Sequence, residues 1–544
     1  ISYLRLFTSL FDEAKAHSEQ SLAVLDKVRE QLDSDNWDGQ DEDLGFMVDY
    51  EYAATHFSLA KVASALKQSD IELKHLETAR SIGKPQYDPL LYIGILRQLQ
   101  ALQFRKKKYL EAFEIKQEYR SIERQYGLRA FVGAGRLESQ KIASRPNLKT
   151  HQKVGVSQEI SASGRQQDVD RLIERMGRSD LKLTVIYGQS GVGKSSLVQA
   201  GFIPAITDIT TIDARNVVVV LQQQYTDWVD SLCKSAQTAL TPVSAYQNLS
   251  NLDTTENVLA SLKQNSKQNL LTVLVFDQFE EFFFVCKDTL QRKPFYDFLQ
   301  RCLDIEFVKV VLALREDYLH YLLECNRSEN LDSINNNILD KGILYYLGNF
   351  SKTDTKRVIE ALTGQTAFHL EPELVDELVE DLAGELDEVR PIELQVVGAQ
   401  LQTEDITTLE KYQENGPKEA LVGRFLEEVV KDCGPEQEQI AKLVLYLLTD
   451  ENNTRPLKTR ADLELELDVE KGKLDLILEI LVRSRLVFLI RATPADRYQL
   501  VHDYLVEFVR KEQSARLVKE IEQERKLRKL SEERMIKAQK QELY

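Results

Sequence analysis

The stretch that most constrains the fold is "TVIYGQSGVGKSSLVQAGFI", residues 184–203. An apolar run leads in, glycines recur at 188, 191 and 193, and Lys194, Ser195 and Ser196 open a helical pattern. The spacing Gly188-x-x-x-x-Gly193-Lys194-Ser195, between a strand and a helix, is that of a phosphate cradle. Glycines let the backbone curl until successive amides face a β-phosphate. The helix beginning near Lys194 adds its positive end. Lys194 is placed to neutralise β- and γ-phosphates, and the Ser195 hydroxyl to ligate Mg²⁺. Gly188, Gln189, Ser190, Gly191, Val192, Gly193, Lys194, Ser195 and Ser196 are therefore the expected nucleotide-binding loop.

Such a loop needs a parallel sheet behind it. Further apolar runs follow at 216–222, 269–277, 307–315 and 343–350, separated by helical stretches. They are too short to span a bilayer and suit buried parallel strands covered by helices on both faces. The run "LLTVLVFD" ends in Asp277, expected to hold Mg²⁺ through water. Beyond it stand Glu280 and Glu281, either of which can orient or deprotonate an attacking water. "VVLALR" ends in Arg315, placed either to sense a γ-phosphate or to pair with Glu316 or Asp317.

Residues 1–145 carry apolar residues at helical spacing. "IGILRQLQALQFRKKKYLEAFEIKQEYRSIERQYG" (93–127) resembles a tetratricopeptide hairpin, with a looser pair at 52–82; an irregular helical bundle is the alternative. A polar linker covers 143–158. The NTPase sheet is expected over 155–352, an acidic helical lid over 353–435, and helices with a hairpin (485–492 and 497–502) forming a winged helix over 436–510. A charged helix, linker or coiled coil, follows over 511–544. The expected fold is thus multidomain: an all-α region, then an α/β P-loop NTPase with lid and winged helix. The 544 residues carry a net charge of −17, a poor match for generic nucleic-acid binding. Five scattered cysteines form no metal or disulfide pattern and suit a cytoplasmic setting. No signal peptide is visible; the chain opens at Ile1 directly in a helical pattern, as a fragment or processed chain would.

"GQSGVGKSS", "VFDQFEE" and "LALREDYL", in this order, resemble the STAND class of signalling NTPases, relatives of the AAA+ ATPases. The resemblance covers about 155–510 and is strongest to the prokaryotic branch whose acidic strand reads Asp-Gln-Phe-Glu-Glu. It implies that Gly164 and Arg165 pack by the adenine, that Pro391 is the lid proline, and that His502 in "LVHDYL" contacts the β-phosphate of ADP and locks a closed state. A hydrogen-bonded helix histidine is the competing account of His502. The pattern departs at Val389, where glycine is usual, and at Val501, where methionine is. Gln278 stands where a mechanical AAA+ motor carries Glu, which favours slow turnover.

The resemblance implies an ATP/ADP- and Mg²⁺-dependent switch that self-associates with ATP. Protein partners would bind through the N-terminal helices or through segments outside the chain, where relatives often carry a WD-repeat propeller. No such repeats occur here. The alternative is an AAA+-like ATPase acting on nucleic acid through its winged helix, which the acidic charge disfavours. No Asn-Lys-x-Asp guanine reader is present, so ATP is the expected nucleotide.

Overall fold

The computed structural model describes residues 11–32, 42–131, 133, 140–141, 154–155, 160, 165–209, 211–240, 253–328, 334–335, 337–364, 366–383, 387–450, 454–467, 471–490, 495–501 and 504–513. The chain divides into two compact units: residues 1–130 with 365–368 and 428–438, and residues 131–364, 369–427 and 439–544.

The first unit is helical: α1 (Phe11–Leu32), α2 (Glu42–Ala65), α3 (Ser69–Ile82), α4 (Pro89–Arg105) and α5 (Tyr109–Gln125). Its start and stop signals are local. Asp88 caps α4 by accepting from the amides of Leu90 and Leu91, and Pro89 fills the first turn. Lys67 and Lys107 adopt left-handed conformations, φ 57° and 61°, in the turns after α2 and α4. Ile95, Leu96, Leu99 and Leu102 of α4 pack with Leu76 and Ala79 of α3. Buried Glu72 of α3 accepts from Arg105 at 2.9 Å and from Gln98 at 3.1 Å of α4. The helix end at Arg105 and the second helix from Tyr109 lie where the helical spacing placed them.

Residues 428–438 complete this unit through charge. Lys116 reaches Asp432 at 2.6 Å and Glu428 at 2.8 Å, Arg120 reaches Glu428 at 2.5 Å, and the Tyr109 hydroxyl donates to Glu436 at 2.5 Å. Gly434 has φ 94°, and a β-carbon there would stand 2.3 Å from the Tyr109 ring.

The second unit is built on a six-stranded sheet. After a two-residue antiparallel pair, Gln140–Lys141 with Val154–Gly155, its elements in chain order are α6 (Arg165–Gly177), β1 (Leu183–Gly188) and α7, which runs Lys194–Ser196, passes through a π-helical stretch Leu197–Phe202 and ends as Ile203–Asp208. There follow β2 (Thr211–Ile212), β3 (Arg215–Gln222), α8 (Trp228–Leu240), α9 (Thr255–Lys267), β4 (Leu270–Phe276), α10 (Glu280–Val285), α11 (Thr289–Leu303), β5 (Val308–Arg315) and β6 (Leu344–Tyr346). The order across the sheet is β2-β3-β4-β5-β1-β6, parallel except for the β2–β3 edge pair.

Alternate strand residues feed opposite layers. Leu274, Phe276, Leu312 and Leu314 pack with Leu232, Leu262 and Phe295 on one face. Val273, Val275, Val311 and Ala313 pack with Leu172, Leu197 and Phe202 on the other. All seven residues of β4 are buried, as its unbroken apolar run requires.

Three details differ from the expectation. The antiparallel edge strand β2 escapes the pattern because it is only two residues long. The last run, 343–350, yields a strand over Leu344–Tyr346, while Phe350–Ser351 pairs separately with Glu388–Val389. Continued apolarity there reflects two different partners.

The helical part that follows contains α12 (Lys352–Gly364), α13 (Pro372–Leu382), α14 (Pro391–Thr403) and α15 (Lys418–Asp432), whose last turn falls in the first unit. Then come α16 (Glu438–Leu447), β7 (Lys458–Thr459), α17 (Lys471–Arg483), β8 (Val487–Ile490), β9 (Arg497–Leu500) and α18 (Tyr504–Gln513). The third difference lies here: the expected hairpin is a three-stranded sheet, order β7-β9-β8, because Lys458–Thr459 adds to its edge.

Candidate functional site: a phosphate loop roofed by the winged strands

Strand β1 ends at Gly188, in register with Arg315 of β5. A β-carbon at Gly188 would stand 2.2 Å from the Leu347 carbonyl oxygen, so only glycine permits this approach. Gly193 has φ 92° and open space around it; there conformation, not room, requires glycine. The helix starts directly, Leu197 donating to the Gly193 carbonyl at 2.8 Å.

Lys194 curls over its own loop, Nζ donating to the carbonyls of Gly188 at 2.8 Å and Gln189 at 2.7 Å. Burial lowers its ammonium to about 8, while the Glu280 carboxylate pulls the other way. Burial likewise raises the carboxyl of Glu280, against the pull of Lys194. Glu280 also accepts from the Arg315 amide at 3.3 Å.

Asp277 is fully buried at the carboxyl end of β4. One oxygen accepts from the Ser195 hydroxyl at 2.8 Å; the other accepts from Gln199 at 2.6 Å and Gln223 at 3.2 Å. The Tyr225 hydroxyl donates to its carbonyl at 2.8 Å. A hydroxyl and a carboxylate this close are a fitting donor set for Mg²⁺. The turn after Asp277 places Gln278 at φ 56° and begins α10 at Glu280.

Arg315 pairs with Asp317 and lies over the Tyr318 ring at 5.5 Å. The expected ion pair with an adjacent acid is therefore present, and Arg315 also lines the cavity described next. Arg165, the first residue of α6, is buried; it donates to the carbonyls of Val192 at 3.3 Å and Gly348 at 2.5 Å and lies over the Phe350 ring at 4.9 Å. It braces the loop from behind.

These groups open on a cavity of about 540 Å³, a size that takes a small-molecule cofactor. Its wall includes Ser190 to Ser196, Asp277, Glu280, Glu281 and Arg315. Ile160, Phe350, Val358, Pro391 and Ile392 supply apolar surface, and Pro391 opens α14. The winged part supplies Arg455, Arg485, Val487, Phe488, Leu500 and Val501. The structure thus brings together the whole expected loop from Ser190, the acidic strand, both glutamates, Arg315, Arg165 and Pro391. Gly164 and His502, with Asp503, lie outside the described residues, as do residues 514–544.

The sequence reading missed Gln199, Gln223, Arg455 and Arg485. Gln199 follows Ser195 by four residues on one helix, a spacing that puts both on the same face. Gln223 follows the carboxyl end of β3, where ligands collect in such sheets. Arg455 sits in "NNTRPLK", which carries no local signal.

Among the described residues, no helix is long and apolar enough to cross a membrane, and no cluster of three or more His, Cys, Asp or Glu is poised to hold a metal. The model of the family described as Novel STAND NTPase 1 matches residues 161–540. No curated protein matches the chain. Solved structures resemble it loosely. The ORC2 protein of Aeropyrum pernix, as ADPNP-ADP complexes, has 13% identity and a TM-score of 0.36, over 70% of this chain and 97% of that one. The ORC1 protein of the same organism, in complex with DNA, has 14% identity and a TM-score of 0.35, over 64% and 92%. Cdc6p of Pyrobaculum aerophilum has 13% identity and a TM-score of 0.31, over 70% and 97%.

Proposed function

The chain belongs to the novel STAND NTPase 1 family, and from that premise we propose that it is an ATP-binding, slowly hydrolysing signalling switch whose nucleotide state controls its conformation and self-association. The observation that carries this reading is that residues of the winged strands wall the same cavity as the phosphate loop. A nucleotide there touches both, and a ligand that meets two movable parts can bias their arrangement.

In this reading the loop amides and Lys194 hold the phosphates. Ser195 and Asp277 would hold Mg²⁺, which would supply charge neutralisation at the phosphates. Glu280 takes the proton of the attacking water; its raised carboxyl makes it the better base, and Glu281, one position on, orients the water. Gln278 leaves the position after Asp277 without a carboxylate, which suits slow turnover. Arg315 senses the third phosphate, Arg165 and Pro391 frame the base, and His502 holds ADP in the closed state. Hydrolysis then resets the switch.

The test compares two variants. Lys194→Ala should abolish ATP and ADP binding by fluorescence titration. Glu280→Gln should keep binding and slow single-turnover hydrolysis by at least about 100-fold. Binding that survives Lys194→Ala removes the proposed site. Hydrolysis unaltered in Glu280→Gln removes Glu280 as base.

A further inference from the structure

The carbonyl of Val501 is a shared acceptor. The Ser190 hydroxyl, from the phosphate loop, donates to it at 3.3 Å, and the Arg455 guanidinium donates to it as well. Arg455 also donates to the carbonyl of Leu500 at 2.9 Å, and its own carbonyl accepts from Gln499 at 2.6 Å. Its side chain and its main chain are thus both tied to the carboxyl end of β9. Arg455 is 8% exposed and lies on the wall of the cavity that Lys194 and Ser195 also line.

One guanidinium nitrogen, Nη1, donates to two successive carbonyls, and the planar group cannot turn about its axis as a flexible ammonium can. The Val501 carbonyl then accepts from the Ser190 side chain, so the phosphate loop is joined to the main chain of the winged part. The joint stands immediately before residue 502.

We propose that Arg455 is a positioning residue of the closed, ADP-bound arrangement: it aims the Val501 carbonyl at Ser190 and so ties the winged part to the phosphate loop until nucleotide exchange breaks the tie. This rests on the switch reading above. It adds a contact that needs no phosphate and a residue on which ADP retention depends. In the ATP-bound arrangement the winged part has left the loop, and Arg455 no longer bears on nucleotide release.

The test is the release of fluorescently labelled ADP, and of a labelled non-hydrolysable triphosphate, from the full chain carrying Arg455→Lys, Ser190→Ala or both. Arg455→Lys keeps the charge and most of the buried stem and loses the planar Nη1 donor. ADP should leave about tenfold faster, the weight of one hydrogen bond from a charged group. Triphosphate release from Arg455→Lys should stay within about twofold. The double variant should release ADP no faster than the faster single one, because both groups act through one carbonyl. A purely structural arginine predicts otherwise: multiplied effects in the double variant, or equal acceleration of both nucleotides. Either result, or unchanged ADP release, overturns the tie. Failure of the switch reading is separate, since it shows as wild-type protein that binds no labelled ADP.

Discussion

At the scale of single residues, the site is organised by burial of charge. Lys194 is the clearest case, because desolvation brings its ammonium to about 8, below the usual lysine range. A phosphate wants that ammonium charged. Nucleotide affinity should therefore be flat between about pH 6.5 and 7.5 and fall above about 8, by up to tenfold per pH unit. For folding alone the sign is opposite: the buried cation costs stability at low pH, and the cost is relieved as pH rises through 8. Lys194→Arg stays charged throughout and should flatten the binding profile. A wild-type profile that is level to pH 9.5 would put the titrating ammonium elsewhere. The placement of these groups was legible in the sequence, since Lys194, Ser195, Asp277, Glu280 and Arg315 sit where strand ends and glycine spacing put them. What was not legible came from distant chain: Gln223 and Arg455 enter only through the fold.

At the scale of elements, the loop depends on how closely β1 passes its neighbour chain. The contact of Gly188 with the Leu347 carbonyl leaves no room for a methyl group. Gly188→Ala should push the two segments apart, lowering stability by about 1–3 kcal/mol and nucleotide affinity with it, read by thermal melting and titration together. Retention of both values would mean that the strand end moves more freely than its packing implies. The long apolar runs predicted β1, β3, β4 and β5 because a doubly covered strand needs little but apolar side chains. The short edge strands β2 and β7 were illegible for the converse reason: two residues carry no periodicity, and pairing alone defines them.

At the scale of the whole molecule, the division of the chain was the least legible feature. The break at Gly434-Pro435 marks an expected boundary at 435/436, yet residues 428–438, on both sides of it, pack with the N-terminal helices. Charge makes the assignment. Against desolvation, which raises it, Lys116 and Arg120 hold the Glu428 carboxyl down to about 2. That contribution is present above about pH 4.5 and is lost as pH falls toward 2. Lys116→Met would leave Glu428 and Asp432 without their shared cation and should destabilise the first unit by about 3 kcal/mol or more, as an earlier unfolding step in a calorimetric scan. An unchanged scan would mean that packing, not charge, holds this segment.

The central claim is that nucleotide state sets assembly, and the most direct measurement is molar mass by light scattering. Purified protein would be measured with ADP, then with a non-hydrolysable ATP analogue and Mg²⁺. The account predicts a monomer with ADP and a discrete larger oligomer with the analogue. The same mass in both states, from protein that binds both nucleotides, would contradict it.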